Sequence, residues 1–283
     1  MGAITQAMAK EARSLGVKLV LDAEVENLEI SRQKVRGITL KSGQVVESDL
    51  TIANVNPKLL FCDLIESSDL NEDTRSHFES YKCQSGTFRM NVAMSALPDF
   101  TARTAPHVLE AGIIMAPSLD YMDKAFTDAR LNGWSEKPIV EMLIPSITDD
   151  SLAPAGQHVA SLFCQQFDPS LGEKWNEHRE NVADIILNTV ETYAPGFKQH
   201  IIARQIHSPW DLEQKFGLVG GDIFHGRLSL DQLFSARPML GMGDYHTEFE
   251  NLYLCGAGTH PGGGVSGLPG HNAAQEIIRS LSF

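Results

Sequence analysis

Asn251-Leu-Tyr-Leu-Cys-Gly-Ala-Gly-Thr-His-Pro-Gly-Gly-Gly-Val-Ser-Gly-Leu-Pro-Gly270 decides the reading of this chain. Leu252 to Leu254 is a short apolar strand. It runs into a loop with five glycines between Gly256 and Gly264. A helix is predicted to start near Val265, with small residues at Gly267, Gly270 and Ala274. Glycines let a backbone approach a ligand closely, because no Cβ stands in the way. The helix start adds unpaired N–H groups and a partial positive charge, which suit a phosphate or an electron-rich ring.

The stretch contains a literal G-x-G-x-x-G at Gly262, Gly264 and Gly267. An ordinary dinucleotide fingerprint is followed by a further strand and by an acidic residue about 20 positions on. Neither fits before Phe283, so here the motif closes a domain and does not open one.

The longer pattern from Cys255 to Gly267 resembles the C-terminal flavin-contacting segment of the phytoene dehydrogenase-like FAD-dependent oxidoreductases. Gly220-Gly-Asp-Ile-Phe-His-Gly-Arg-Leu-Ser-Leu-Asp-Gln-Leu-Phe-Ser-Ala-Arg-Pro238 resembles the block that precedes it. The resemblance is to the branch of the pyridine nucleotide-disulphide oxidoreductase domain-containing proteins. It extends to Gly2–Ala9, Gly16-Val17, Ala23–Val25 and Asp49–Pro57, and more diffusely to residues 65–205. It implies FAD as cofactor. It implies that the Val25 backbone faces the adenine ring, and that Ala53 and Asn54 sit near the cofactor. Gly256, Ala257, Gly258, Gly263, Gly264, Val265 and Gly267 would contact the flavin. His225 and Arg227 would lie on the substrate side. Family members open with a βαβ unit that holds the ADP half of FAD, and this sequence shows none. The chain therefore reads as the C-terminal part of a longer design, with FAD expected to be unoccupied in the chain alone.

His260 lies inside the glycine loop, where an imidazole could tune a flavin, shuttle a proton or simply brace the loop. His271 reads as a packed or solvated helix residue. The ten histidines contain no compact ligand spacing, so no metal site is expected. Cys62, Cys83, Cys164 and Cys255 form no C-x-x-C and read as buried reduced thiols. Catalytic side chains are not identifiable.

At 283 residues, 42% hydrophobic and 21% charged, the composition is globular. A formal charge of −13 argues against nucleic-acid backbones and anionic lipid. Apolar runs are too short for a membrane span, and no signal peptide is visible, so the expected location is cytoplasmic.

Ile4, Ala7, Met8, Ala12 and Leu15 recur at helical spacing from Met1 onward. Val17 to Leu21 reads as a buried strand, placed beside Leu252 to Leu254. Val25 to Ile30, Val35 to Leu40 and Val45 to Ala53 read as an antiparallel meander. Thr87 to Met94, His107 to Met115, Pro138 to Pro145 and His158 to Gln166 read as strands, Asp120 to Leu131 and Gly172 to Tyr193 as helices. The fold expected is α+β. Residues 1–64 and 236–283 form the residual half of a Rossmann-like, glutathione-reductase-type FAD-binding domain. Residues 65–235 form an inserted substrate domain, a mainly antiparallel sheet flanked by helices.

The function implied by the resemblance is dehydrogenation of a small or apolar substrate by the complete design. Two alternatives stand beside it: a non-enzymatic binding or interaction protein, and one subunit of a split flavoenzyme whose ADP-binding half is a separate chain. An uncovered face where the βαβ unit would sit implies a homo-oligomer or a missing N-terminal half as partner.

Overall fold

The computed structural model describes residues 2–102 and 105–281. Met1, at the start of the expected first helix, lies outside the described residues.

Helix α1 (Gly2–Ser14) ends at Gly16, whose φ of +87° closes it. None of its residues is buried. Val17 to Leu21 is not a strand and is not buried: Leu21 is 80% exposed. Its apolar composition satisfied the strand pattern. A parallel strand also needs paired neighbours, and among the described residues none pairs with it.

Strands β1 (Val25–Ser31), β2 (Lys34–Leu40) and β3 (Val45–Glu47) form the expected meander. Arg32 and Gln33, both at positive φ, make the two-residue turn whose twist suits a hairpin. Gly37 on β2 is required, because a Cβ there would run into the Val46 backbone. The expected third strand, Val45 to Ala53, divides at Ser48: β4 (Thr51–Ala53) leaves the meander. It pairs in parallel with β10 (Leu252–Leu254), so β10's neighbour is β4 and not Val17 to Leu21. Asn251 fixes this junction. Its buried amide accepts from the Val35 N–H at 2.9 Å and donates to the carbonyls of Val35 and Asp49, both at 2.7 Å.

Helix α2 (Pro57–Leu59), capped by the Asn56 side chain, continues into a wider turn over Leu60–Leu64. With α3 (Glu72–Glu79) it covers the meander. Phe61 and Phe78 stack at 4.2 Å in a core that includes Leu28, Val35, Ile65, Tyr81, Phe249 and Leu254.

The second core lies under a five-stranded antiparallel sheet in the order β6-β7-β8-β5-β9. These are β5 (Thr87–Met94), β6 (Ile113–Met115), β7 (Ile139–Leu143), β8 (His158–Gln165) and β9 (Ile201–His207). Phe88, Met90, Val92 and Met94 are buried on one face, as the alternation requires. Helix α5 (Trp175–Tyr193) packs on that face through Val182, Ile186 and Val190. The expected strand His107 to Met115 is strand only at β6. Pro106–Glu110 is a 3-10 turn, since proline cannot pair and presets a helical φ. The helix expected from Gly172 begins at Trp175, after Gly172 at φ +51°. Helix α4 (Leu119–Asn132) ends in a left-handed cap at Gly133. Strand β9, α3 and α6 (Pro209–Phe216) were not expected from the sequence. Helix α7 (Leu268–Leu281) starts three residues after Val265, because Val265 and Gly267 are both left-handed.

Candidate functional site

The two family-like blocks meet at one buried side chain. Arg237 is fully buried and spends its guanidinium on backbone oxygens. Nε and Nη2 donate to Ala257 O at 3.2 and 2.7 Å. Nη2 also reaches Phe224 O at 2.6 Å, and Nη1 reaches Gly226 O at 3.3 Å and Gln232 O at 3.2 Å. Its planar fork of five donors can serve carbonyls in several directions at once. Arg237 thus ties the 220–237 block to the glycine loop. Asp222 stands near it, also fully buried, and accepts from the N–H groups of Ser85 and Phe224. Burial pushes the Asp222 carboxyl up, and Arg237 with these hydrogen bonds pulls it back.

The glycines of the loop fall into two classes. Gly256 and Gly258 are set by protein neighbours. A Cβ at Gly256 would overlap Asn54 Oδ1, and one at Gly258 would lie 2.6 Å from Pro57 Cγ. The end of β4 and the loop are therefore in close contact, as the pairing of Ala53 with Leu254 requires. Gly264 and Gly267 are different. At φ of +124° and +73° they adopt conformations that suit glycine, yet a Cβ would meet nothing within 4 Å. Here the bare backbone faces open space.

That space has a second wall. A cavity of about 410 Å³ is lined by Gly264, Val265, Ile223 and Phe224 on one side, and by Arg89, Glu141, Leu143, Ser161 and Phe163 on the other. The latter five all lie on the sheet face opposite the core. Register aligns Ile114, Glu141, Phe163, Arg89 and His207 in one cross-strand row, and Leu143, Ser161, Asn91 and Gln205 in the next. Arg89 donates to Ser161 Oγ at 2.9 Å, and its guanidinium stands 5.2 Å from the Phe163 ring centre. The alternation along β5 turns Arg89 and Asn91 away from the core. It gave no sign that this face roofs a cavity, because the other wall comes from far along the chain.

The expected site residues separate as follows. Ala53, Asn54, Gly256, Ala257, Gly258, Gly263 and His225 come together around the Arg237 staple, and Gly264 and Val265 reach the cavity. Val25 begins β1 and pairs with Leu40, in the meander and outside the β4–β10 pair. His260 turns its ring toward Phe234, 6.4 Å away, while its carbonyl accepts from Tyr245 Oη at 2.9 Å. It braces the loop in this geometry. Arg227 lines a neighbouring polar cavity with Gln84 and Gln166. His271 is exposed. Arg237, Asp222 and Asn251 were missed, although all three stand in the two quoted stretches.

His225, at φ +55°, packs beside Gly258, with its Nδ1 buried and unpartnered among the described residues. Burial holds its pKa below the usual value, Arg237 adds to this, and Asp222 and a hydrogen bond to the Val55 backbone oppose it. Tyr81 donates to His225 O at 3.3 Å, and burial pushes its hydroxyl up to about 12. All four cysteines are free. Cys83 and Cys164 are buried as expected, but Cys62 is exposed and Cys255 half-buried. Among the described residues no cluster of three metal-ligating side chains occurs, and no helix is long and apolar enough to cross a membrane.

No protein-family model matches the chain. It is 38% identical over 293 residues to pyridine nucleotide-disulfide oxidoreductase domain-containing protein 2 of Mus musculus, covering 99% of this chain and 50% of that protein. It is 25% identical to the lycopene-forming phytoene desaturase of Pantoea ananas, covering 95% of this chain and 52% of the relative. An oxidoreductase structure from Methanosarcina mazei superimposes with a TM-score of 0.64 over 98% of this chain and 53% of that one, at 15% identity. Putrescine oxidase bound to putrescine superimposes at 0.57, with 13% identity, over 98% of this chain and 52% of its own. These two likenesses show a shared fold. The chain spans about half the length of the curated relatives it matches.

Two predictions follow from the staple. Arg237→Lys leaves three donors for four carbonyls and should cost about 1–3 kcal/mol for each oxygen left unpaired. Urea unfolding at neutral pH measures this, and an unchanged midpoint would contradict the role given to Arg237. His225 supplies the second. Its folded pKa is depressed, so the unfolded chain binds the proton more readily. Its contribution is intact at neutral pH and is lost as pH falls below the unfolded value of about 6.5. His207 shifts in the same direction, so the test is a difference. His225→Asn should flatten the pH 7 to 5 stability profile relative to the parent chain, and parallel profiles would refute it.

Proposed function

We propose a function from the premise that this chain belongs to the phytoene dehydrogenase-like oxidoreductases, the family of the pyridine nucleotide-disulfide oxidoreductase domain-containing proteins and phytoene desaturases, as a C-terminal part of its pattern. It supplies the flavin-ring half of an FAD site together with the substrate-binding sheet, and the complete design dehydrogenates an apolar substrate. The observation that carries this reading is the cavity between Gly264-Val265 and the outer sheet face.

The residues fit a flat ring. Gly264 and Gly267 leave a Cβ-free backbone toward open space, and Arg237 immobilises the loop from behind. Ala53, Asn54, Gly256 to Gly258 and Gly263 to Gly267 would hold the ring. FAD, when bound, would supply the acceptor for the hydride equivalent that a dehydrogenated substrate loses. The chain's own contribution is position and an apolar wall. Phe163, Leu143, Ile223, Phe224 and Val265 line the cavity with apolar surface. Arg89, held by Ser161, fixes the polar point in its roof.

The proposed division into 1–64 with 236–283, and 65–235, is supported by the two separate cores. Ile65, Leu70, Phe78 and Tyr81 pack with the first of them, which moves the boundary toward residue 84.

Tight FAD binding uses anchors at both the pyrophosphate and the ring. Without the first, charge-assisted hydrogen bonds of about 1.5–3 kcal/mol each are forfeited. That amounts to several decades in affinity. The 283-residue chain should therefore purify without stoichiometric FAD. In calorimetric titration it should bind FAD more weakly than micromolar, and Gly264→Val should abolish that binding. Submicromolar binding would contradict the half-site argument, and no binding at millimolar FAD would contradict the flavin reading.

We also infer self-association through residues 4–21, where Met8, Leu15 and Leu21 are 66%, 75% and 80% exposed. Sedimentation equilibrium should show a dimer or larger species that Leu15→Glu with Leu21→Glu dissociates. A concentration-independent monomer would refute it.

A further inference from the structure

Phe224 also borders a second cavity, and that one shares part of its lining with a third. The nearer, of about 400 Å³, is lined by Gln84, Phe126, Gln166, Phe224 and Arg227 among others. The farther, of about 230 Å³, shares Gln84, Phe126, Gln166 and Arg227 and adds Arg130. Phe224 lines both the nearer cavity and the one beneath the sheet, so it is the partition between an apolar chamber and a polar one. Its backbone is fixed at both ends: the N–H donates to Asp222 Oδ1 at 2.9 Å, and the carbonyl accepts from Arg237. The ring alone is left to move.

The polar end gathers positive charge. Arg130 lies 5.7 Å from the centre of the Phe126 ring. Among the described residues, neither Arg130 nor Arg227 has an ion-pair partner. Asp168 lines the same cavity, but its carboxylate is engaged by Ser170, accepting from N at 2.8 Å and from Oγ at 2.7 Å. The Gln84 and Gln166 amides add further donors. Lys82 nearby, by contrast, finds Asp231 at 2.6 Å. Two guanidiniums left unpaired around one cavity match an anionic head group, which they grip in a fixed orientation.

We propose that the substrate is an extended apolar molecule ending in an anion. Its chain lies between the sheet and Gly264-Val265, and its head lies beyond Phe224, between Arg130 and Arg227. This rests on the reading of the Gly264 side as the flavin face. The arginine pair fixes how far the chain enters, and so decides which carbons lie against that face. In the cavity at Gly264 the guanidinium of Arg89 is held by Ser161 and the Phe163 ring with Glu141 on the same wall, which leaves the arginine pair beyond Phe224 as the better anion site.

The probe is cis-parinaric acid, a conjugated fatty acid that fluoresces on entering an apolar site, titrated into the whole chain with and without saturating FAD. Its methyl ester is the neutral control. The acid should bind at least about tenfold more tightly than the ester, a difference of about 1.4 kcal/mol. Arg227→Met should remove that preference. So should Arg130→Glu, at an exposed position where folding is retained. Competition by dodecanoic acid and by dodecyl phosphate then separates a carboxylate head from a phosphate head. Equal binding of acid and ester, or arginine variants that bind the acid as the parent does, would overturn the proposal. Arginine-dependent binding in a chain that never binds FAD would leave this inference standing and sink the flavin reading. FAD binding without arginine dependence would do the reverse.

Discussion

A buried guanidinium bonded only to backbone carbonyls is the constraint on which this site depends. Arg237 carries a full charge at zero exposure and balances it with the oxygens of Phe224, Gly226, Gln232 and Ala257, with Asp222 nearby. Four carbonyls pointing at one centre would be costly without a donor to fill it. The segments that present them come from the 220–237 block and the glycine loop, neither of which has a strand or long helix of its own to set its path. Arg237 substitutes for that missing regular structure. Gly226 then leaves room for Tyr81, and Gly258 for the Pro57 ring, so the staple is packed on both sides.

The cavity follows from this arrangement. The five-stranded sheet buries one face on α5 and leaves Arg89, Glu141, Ser161 and Phe163 on the other. A sheet with one solvated face is common in antiparallel folds. What turns this face into a chamber is the loop at Gly264-Val265, held opposite it with Phe224 alongside. Two separately cored bodies thus enclose a space that neither forms alone, which is where ligand sites are favoured.

The strand Thr87 to Met94 and the helix ending at Tyr193 were legible, because each signal is local and repeats with its own period. The glycine loop was legible as a motif. Its two kinds of glycine were not, since only the position of Pro57 and Asn54 distinguishes Gly258 and Gly256 from Gly264. Val17 to Leu21 shows the opposite failure: apolar composition reads as burial, while burial depends on a partner. The pairing of β10 with β4 was hidden for the same reason, as was the bidentate role of Asn251, whose partners are more than 200 residues away. Arg237 looked like any charged residue before a proline. A charge that will be buried carries no local signature.

The most direct test of the account is selective ¹⁵N-glycine labelling and amide NMR of the chain titrated with flavin mononucleotide. The account predicts that the amides of Gly263, Gly264 and Gly267 shift together and saturably, while those of Gly37 in the meander and Gly156 in a distant turn stay in place. Shifts spread over glycines remote from the loop, or none at millimolar flavin, would contradict it.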